Sequence, residues 1–187
     1  MIDNNISPFI KWAGGKRQLL PYIKEKMPLK YKNYIEPFIG GGAVLFGITP
    51  DKAIINDINK ALINVYNQIK YNPIELMDFL SKIDIQSDVE PKEYYYKKRE
   101  IFNDKIMKSE YDIELASLFI YLNKHCFNGL YRVNSKGLFN VPFNNSLAKS
   151  FNEDNIKAVS RYLQKVTILE GDFEVACQNA QEGDFIF

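Results

Sequence analysis

Apolar positions along this chain switch between two spacings. At Leu19, Leu20, Ile23 and Met27 they recur every three or four residues, which predicts a helix over 16–27 with one buried face. Tyr34-Ile35-Glu36-Pro37-Phe38 reads as a strand running into the Gly40-Gly41-Gly42 turn and a short helix, and Ala53-Ile54-Ile55-Asn56 as a second strand ending at Asp57. Helical spacing returns over 60–69, and Asn72-Pro73-Ile74-Glu75 carries the cap, first-position proline and third-position acid of a helix start. Residues 91–107 and 112–124 continue the helical pattern. It then breaks into short aromatic runs punctuated by Asn128-Gly129, Asn134-Ser135-Lys136-Gly137 and Pro142, a loop and hairpin region. A helix over 153–163, a strand over 166–169 and a helix over 173–180 follow. The turn Gln181-Glu182-Gly183-Asp184 then leads into Phe185-Ile186-Phe187, the first apolar residues of another strand.

Strands separated by helices argue for an α/β domain with a parallel sheet, and the helical middle looks like an insertion in it. The 187 residues suffice for one domain with a core plus an inserted subdomain. Hydrophobic content of 46% and charged content of 25% are those of a globular chain, and no run approaches the ~20 apolar residues of a membrane span. Met1-Ile2-Asp3-Asn4-Asn5 has neither the basic start nor the apolar stretch of a secretory signal, so a cytoplasmic location is expected. Cys126 and Cys177 match no metal or redox spacing and are expected to be reduced thiols, and His125 has no Cys or His at ligand spacing for zinc.

Net charge is +1, but its distribution is uneven. From Leu115 to Asn152 there is no acid, where the chain average predicts about four or five, and the segment carries Lys124, Arg132, Lys136 and Lys149. A second acid-free stretch, Asn4 to Lys24, carries Lys11, Lys16, Arg17 and Lys24. Two basic segments in a nearly neutral chain suggest a polyanion footprint.

Three segments carry candidate chemistry. A glycine turn between a strand and a helix, Glu36-Pro37-Phe38-Ile39-Gly40-Gly41-Gly42, lets a ligand approach the backbone, and Asp57 ends the next strand where an acid can accept hydrogen bonds from ribose hydroxyls. A dinucleotide fingerprint would need a small residue where Leu45 stands, which disfavours a nicotinamide dehydrogenase. The Gly14-Gly15-Lys16 run is not a P-loop, because Ile10 replaces its first glycine and Arg17 its Ser or Thr. It suits instead a helix start whose N–H groups and Lys16 face an anion, with Trp12 as an aromatic wall. The third segment runs from Leu122 to Phe143. There Arg132 can read guanine bidentately, and Phe127 can wedge into a base stack to help extrude a base.

Together, Phe9-x-Lys11-Trp12-Ala13-Gly14-Gly15-Lys16, Glu36-Pro37-Phe38-x-Gly40-x-Gly42, Asn56-Asp57-x-Asn59 and Asn128-Gly129-Leu130-x-Arg132 resemble the Dam-type DNA N6-adenine methyltransferases that modify GATC, restriction–modification relatives included. The resemblance runs in order from Phe9 to Phe187. It implies a Rossmann-like S-adenosylmethionine-dependent methyltransferase sheet over 1–58 and 153–187 with a helical target-recognition, DNA-binding insertion over 59–152. It implies that Trp12, Lys16 and Asp57 contact S-adenosylmethionine above the Gly40–Gly42 turn, with Gly171, Asp172 and Phe173 beside its adenine ring. It also implies that Lys11, Leu130, Arg132 and Pro142 read bases in double-stranded GATC DNA, and that Phe127 and Asn128 are the intercalating pair, where relatives often have Tyr at Phe127. A monomer is expected, with any cognate restriction endonuclease acting separately.

Gly183-Asp184-Phe185-Ile186-Phe187 resembles the lead-in to the family's catalytic Asp-Pro-Pro-Tyr, which is absent from the 187 residues and expected just past Phe187, so Asp184 is not the catalytic acid. The sheet is accordingly expected to be incomplete at its C-terminal side, leaving the first strand short of a neighbour and an apolar edge open. The parent is read as a site-specific adenine methyltransferase using no metal. The chain itself is expected to show no turnover, the alternative being a DNA- or cofactor-binding remnant without catalysis.

Overall fold

Four strands define the sheet: β1 (Tyr34–Glu36), β2 (Ala53–Asp57), β3 (Val166–Glu170) and β4 (Phe185–Ile186), all parallel in the order β3-β2-β1-β4. The computed structural model describes residues 6–86, 90–146, 148–178 and 180–187. Met1–Asn5, and Asn179 within the helix expected over 173–180, lie outside them. All three residues of β1 are buried, as expected of a central parallel strand covered on both faces.

The expectation that β1 would lack a neighbour is corrected by the pairing. β4 lies beside it, with Tyr34 opposite Phe185 and Ile35 opposite Ile186. Asp184 makes this possible: its Oδ1 accepts from Asn33 N and Nδ2 at 3.1 and 2.8 Å, and its Oδ2 from Gln181 N at 3.0 Å. The backbone N–H of Gln181, then the Asn33 groups, hold its carboxyl below the usual range. Among the described residues β1 is thus an interior strand, with β3 and β4 at the two edges of the sheet.

Eight α-helices accompany the sheet among the described residues: α1 (Leu20–Lys26), α2 (Ala43–Ile48), α3 (Lys60–Tyr71), α4 (Pro73–Gln86), α5 (Pro91–Lys108), α6 (Ile113–His125), α7 (Glu153–Leu163) and α8 (Phe173–Cys177). Asn59, Asp112, Asn152 and Asp172 start four of them, each side-chain oxygen accepting a backbone N–H of the first turn. Asn72 stands directly before α4 as expected, its carbonyl accepting from Leu76 N at 3.0 Å, and its Nδ2 donates to Gln68 Oε1 at 2.8 Å. The helix expected over 16–27 begins as a 3₁₀ turn (Arg17–Leu19) and buries no residue fully, with Leu19 exposed. Its apolar stripe is shared out: Leu20 lies over Gly47, where a Cβ would come within 2.6 Å of it. The last expected helix stops at Cys177, short of 180.

α6 is buried along most of its length and packs on α3, α4 and α5, while α3 also packs on α7, β2 and β3. One continuous apolar core thus joins the sheet to the helical middle. Beyond α6 the chain turns through a 3₁₀ segment, Phe127–Gly129, into the expected hairpin, closed by antiparallel bridges Cys126–Phe143 and Val133–Phe139. No described helix is long and apolar enough to cross a membrane.

Candidate functional site

The carboxyl ends of the parallel strands carry the glycine turn, where open α/β sheets bind ligands. Gly40 and Gly42 adopt φ of +48° and +72°, and Gly42 starts α2. Three side chains hold this turn. The Gly40 N–H donates to Asp57 Oδ2 at 3.0 Å, Tyr66 Oη donates to Gly40 O at 2.9 Å, and the Trp12 ring covers it. A Cβ on Gly40 would meet Trp12 Cδ1 at 2.6 Å, and one on Gly42 would meet Phe46 at 2.6 Å and Tyr66 at 2.7 Å. Asp57 Oδ1 also accepts from Asn59 N at 3.0 Å, so the carboxylate is oriented by two backbone groups while still lining the cleft.

That cleft has a volume of about 1340 Å³, above the roughly 300–1,000 Å³ of a single small-ligand pocket. It brings together Lys11, Trp12, Lys16, Gly40 and Asp57, five of the residues singled out above. Cations from both acid-free segments meet on its walls: Lys11, Lys16 and Arg17 from the first, Lys124 and Lys149 from the second. Lys16 curls back, donating to Gly14 O at 2.7 Å, rather than pointing outward.

Gly42, Asp172 and Phe173 do not line the cleft but adjoin it. Asn56 Nδ2 donates to Gly171 O at 2.9 Å and to Pro37 O and Asp172 O at 3.2 and 3.3 Å, binding the ends of β1 and β3 together. Phe173 pairs with Phe38 at 5.7 Å between ring centres. Phe38, Ile58 and Phe173 are 71%, 73% and 45% exposed, so three apolar side chains rim the strand ends. Sequence reasoning missed Phe38 and Ile58 as site candidates. The signal available was an apolar residue one or two positions past a strand-end acid, Ile58 after Asp57 and Phe38 after Glu36.

Glu36, also unpredicted, lines the cleft although 4% exposed. Tyr34 Oη donates to it at 2.7 Å. Burial pushes its carboxyl up to about 7, against the opposing pull of the Tyr34 hydroxyl and the Leu45 N–H.

The hairpin residues cluster apart from the strand ends. Phe127, Asn128, Arg132 and Pro142 are exposed, and Leu130 is half-buried. Phe127 N donates to Pro142 O at 2.8 Å, Asn128 takes the left-handed conformation at φ +55°, and Phe127 is 53% exposed at the hairpin base. Arg132 is held by Asn140, donating from Nε to Oδ1 at 2.8 Å and from a terminal nitrogen to the Asn140 carbonyl at 3.3 Å. Cys126 is buried, its thiol pushed up to about 11 by burial, and neither cysteine forms a disulfide.

Lys11 connects the two regions. The buried Asn123 accepts from Lys11 N at 2.9 Å and donates to Lys11 O at 2.9 Å and Gly129 O at 3.0 Å, so one amide fixes both the N-terminal segment and the hairpin entrance.

A parallel α/β domain with a glycine turn, a strand-end acid and a cation-walled cleft has the arrangement at which open α/β sheets bind ligands. Residues 12–187 match the family model described as D12 class N6 adenine-specific DNA methyltransferase. The chain belongs to that family. It is 45% identical over 186 residues to a type II methyltransferase, M1.LlaDCHI, of Lactococcus lactis subsp. cremoris, covering 98% of this chain and 64% of that protein. It is 42% identical over 197 residues to the type II methyltransferase M.MjaIII of Methanocaldococcus jannaschii, covering 97% and 68% respectively. Against a DNA adenine methylase of Haemophilus influenzae it is 37% identical over 180 residues, covering 96% and 62%. The chain thus spans about two-thirds of the length of these relatives.

Proposed function

We propose that the protein is a site-specific DNA methyltransferase that transfers the methyl group of S-adenosylmethionine to adenine N6 in GATC duplex DNA. The observation that supports this reading is the Asn123 junction: one amide holds both Lys11, whose neighbour Trp12 covers the glycine turn, and Gly129 at the hairpin entrance. Family membership and relatives named as DNA adenine methylases support the reaction class.

The residues present suit an amphoteric nucleoside. Asp57 is oriented to accept from ribose hydroxyls, the exposed Phe38, Ile58 and Phe173 suit a flat purine, and Lys16 and Arg17 suit a carboxylate. Trp12, Gly40 and Gly42 shape the floor, with Asp172 beside Phe173. Bound S-adenosylmethionine would supply an electrophilic methyl on sulfur. The protein's own part is to orient it, extrude the adenine and exclude water.

Residues 59–152 are proposed as the target-recognition portion, with Phe127 and Asn128 entering the base stack and Lys11, Leu130, Arg132 and Pro142 at base edges. We place the protein in the cytoplasm, acting as a monomer, with any cognate restriction endonuclease working independently.

The test is paired binding. Calorimetry with S-adenosylmethionine and with NAD, and anisotropy with GATC and scrambled duplexes, should show S-adenosylmethionine bound, NAD not bound, and GATC preferred. Equal affinity for both duplexes, or binding of NAD alone, would remove the proposal.

A further inference from the structure

Tyr131, the open position within Asn128-Gly129-Leu130-x-Arg132, reaches the proposed cofactor turn by two routes while standing next to Arg132. By its ring, it stacks on Trp12 at 5.5 Å and 18° and on Phe119 at 5.0 Å and 16°. Trp12 in turn lies against the glycine turn, since a Cβ on Gly41 would come within 2.9 Å of its own Cβ. By its hydroxyl, Tyr131 faces Asn59: burial raises the phenol's pKa, and the Asn59 side chain opposes that rise. The N–H of Asn59 donates to Asp57 Oδ1 at 3.0 Å, the carboxylate that also holds Gly40.

Both routes run through close contacts with little slack. Trp12 is confined between the glycine backbone and two parallel rings, and its backbone neighbour Lys11 is clamped by Asn123. Gly129, at φ +64°, has no room for a Cβ beside the Lys11 side chain. A ligand that displaces Trp12 or draws on Asp57 must therefore move Tyr131 or strain its stack. Packed interiors pass on such shifts rather than absorbing them. Tyr131 shares a peptide bond with Arg132, whose guanidinium is already braced by Asn140.

Resting on the function proposed above, we propose that Tyr131 is a positioning residue coupling the two binding regions: occupancy of the cofactor turn orders the segment 129–132, so that cofactor and cognate duplex bind with positive cooperativity. The chemistry asks for no covalent step. By linkage, the factor by which one ligand tightens the other is the same in both directions.

The experiment measures the dissociation constant of a GATC duplex with and without saturating S-adenosylhomocysteine, and that of S-adenosylhomocysteine with and without duplex. In the wild-type chain each should tighten the other by the same factor, about five- to tenfold. Tyr131→Leu should bring both factors to within about twofold of unity, and Tyr131→Phe, which keeps the stack and loses the Asn59 arm, should fall between. Trp12, the single tryptophan, provides an internal signal: duplex alone should shift its emission in the wild type and not in Tyr131→Leu. A merely structural Tyr131 would weaken both binary affinities and leave the coupling factor intact, and that result overturns the inference. Wild-type binding of both ligands without coupling also overturns it while leaving the proposed function standing. Binding of neither ligand defeats the proposed function first. Should Tyr131→Leu fail to fold, Tyr131→Phe with wild-type coupling is the overturning result.

Discussion

The side-chain amide of Asn56 donates to the carbonyl of Gly171 at 2.9 Å, across from β2 to the end of β3. The same nitrogen reaches Pro37 O and Asp172 O, so the residue before Asp57 sets where the neighbouring strand ends lie. Its own Oδ1 is buried without a hydrogen-bond partner among the described residues.

Asn56→Leu should leave these carbonyls unsatisfied in a buried setting, costing about 2–3 kcal/mol. Thermal melts should show a lower Tm, with cofactor affinity reduced more than duplex affinity. A variant as stable as wild type would mean the three contacts add nothing net.

Gly40→Ala faces both a φ of +48° and Trp12 at 2.6 Å, so the indole must move. S-adenosylhomocysteine affinity should fall at least about tenfold, a loss of ~1.4 kcal/mol of binding, with a change in Trp12 emission. Gly137→Ala is the comparison: φ is +74°, but nothing lies within 4 Å. It should show only the backbone strain of about 1 kcal/mol and leave the emission unchanged.

Glu36 makes stability fall as pH rises. Its carboxyl is raised in the fold, from 4.5 to about 7, so between those values the native state holds more proton than the unfolded chain. The stabilising contribution is complete below about 4.5 and lost through about 7. Glu36→Gln should flatten this dependence and be the more stable form at pH 8, by a few kcal/mol at most. Denaturant titrations across that range decide it, and parallel pH profiles for the two proteins would rule Glu36 out.

Lys105 is a buried ammonium at the junction of α5 and α6, 2.7 Å from Asp112, 3.1 Å from Glu114 and 3.5 Å from Glu110. Burial alone would pull its pKa down, and the bonds to Asp112 and Glu114 outweigh that. Because the carboxylates are about half exposed, Lys105→Met should cost about 1–2 kcal/mol, below the full cost of breaking a buried pair. The loss should shrink as salt is raised. A salt-independent loss would point to packing instead.

Arg132→Ala should relax discrimination at one base pair by about 1–3 kcal/mol, while its phosphate-dependent salt slope changes little. Asn140→Ala, which only releases the guanidinium, should give a smaller loss at the same base pair. Competition with singly substituted duplexes measures both, and undiminished discrimination in Arg132→Ala would take it out of the readout.

Local pattern was enough for most of the frame. The strand at 34–36, the glycine turn, Asp57 at the end of β2, and helices α3 and α5 to α7 follow from residue periodicity and capping side chains, which act within a few residues. The family was legible from the resemblance of four short motifs in order along the chain, and the family match over 12–187 agrees. The helix expected at 16–27 is there, but only Leu20 and Ile23 of its stripe pack on the core, because spacing reports which side is apolar and not how fully it is covered.

What only the tertiary structure decided are the long-range junctions. No pattern announces that Asn123 clamps Lys11, that Asn56 spans to Gly171, that Tyr131 lies on Trp12, or that two acid-free segments wall one cleft. An amide reads in sequence as a polar residue of ordinary helix or strand propensity. It becomes a clamp only when folding buries it opposite backbone groups that have no other partner, where an unmade hydrogen bond costs more than a made one contributes. Sequence thus determined which local pieces this protein is built from, and the packing of α6 against α3, α4 and α5 determined which of those pieces touch.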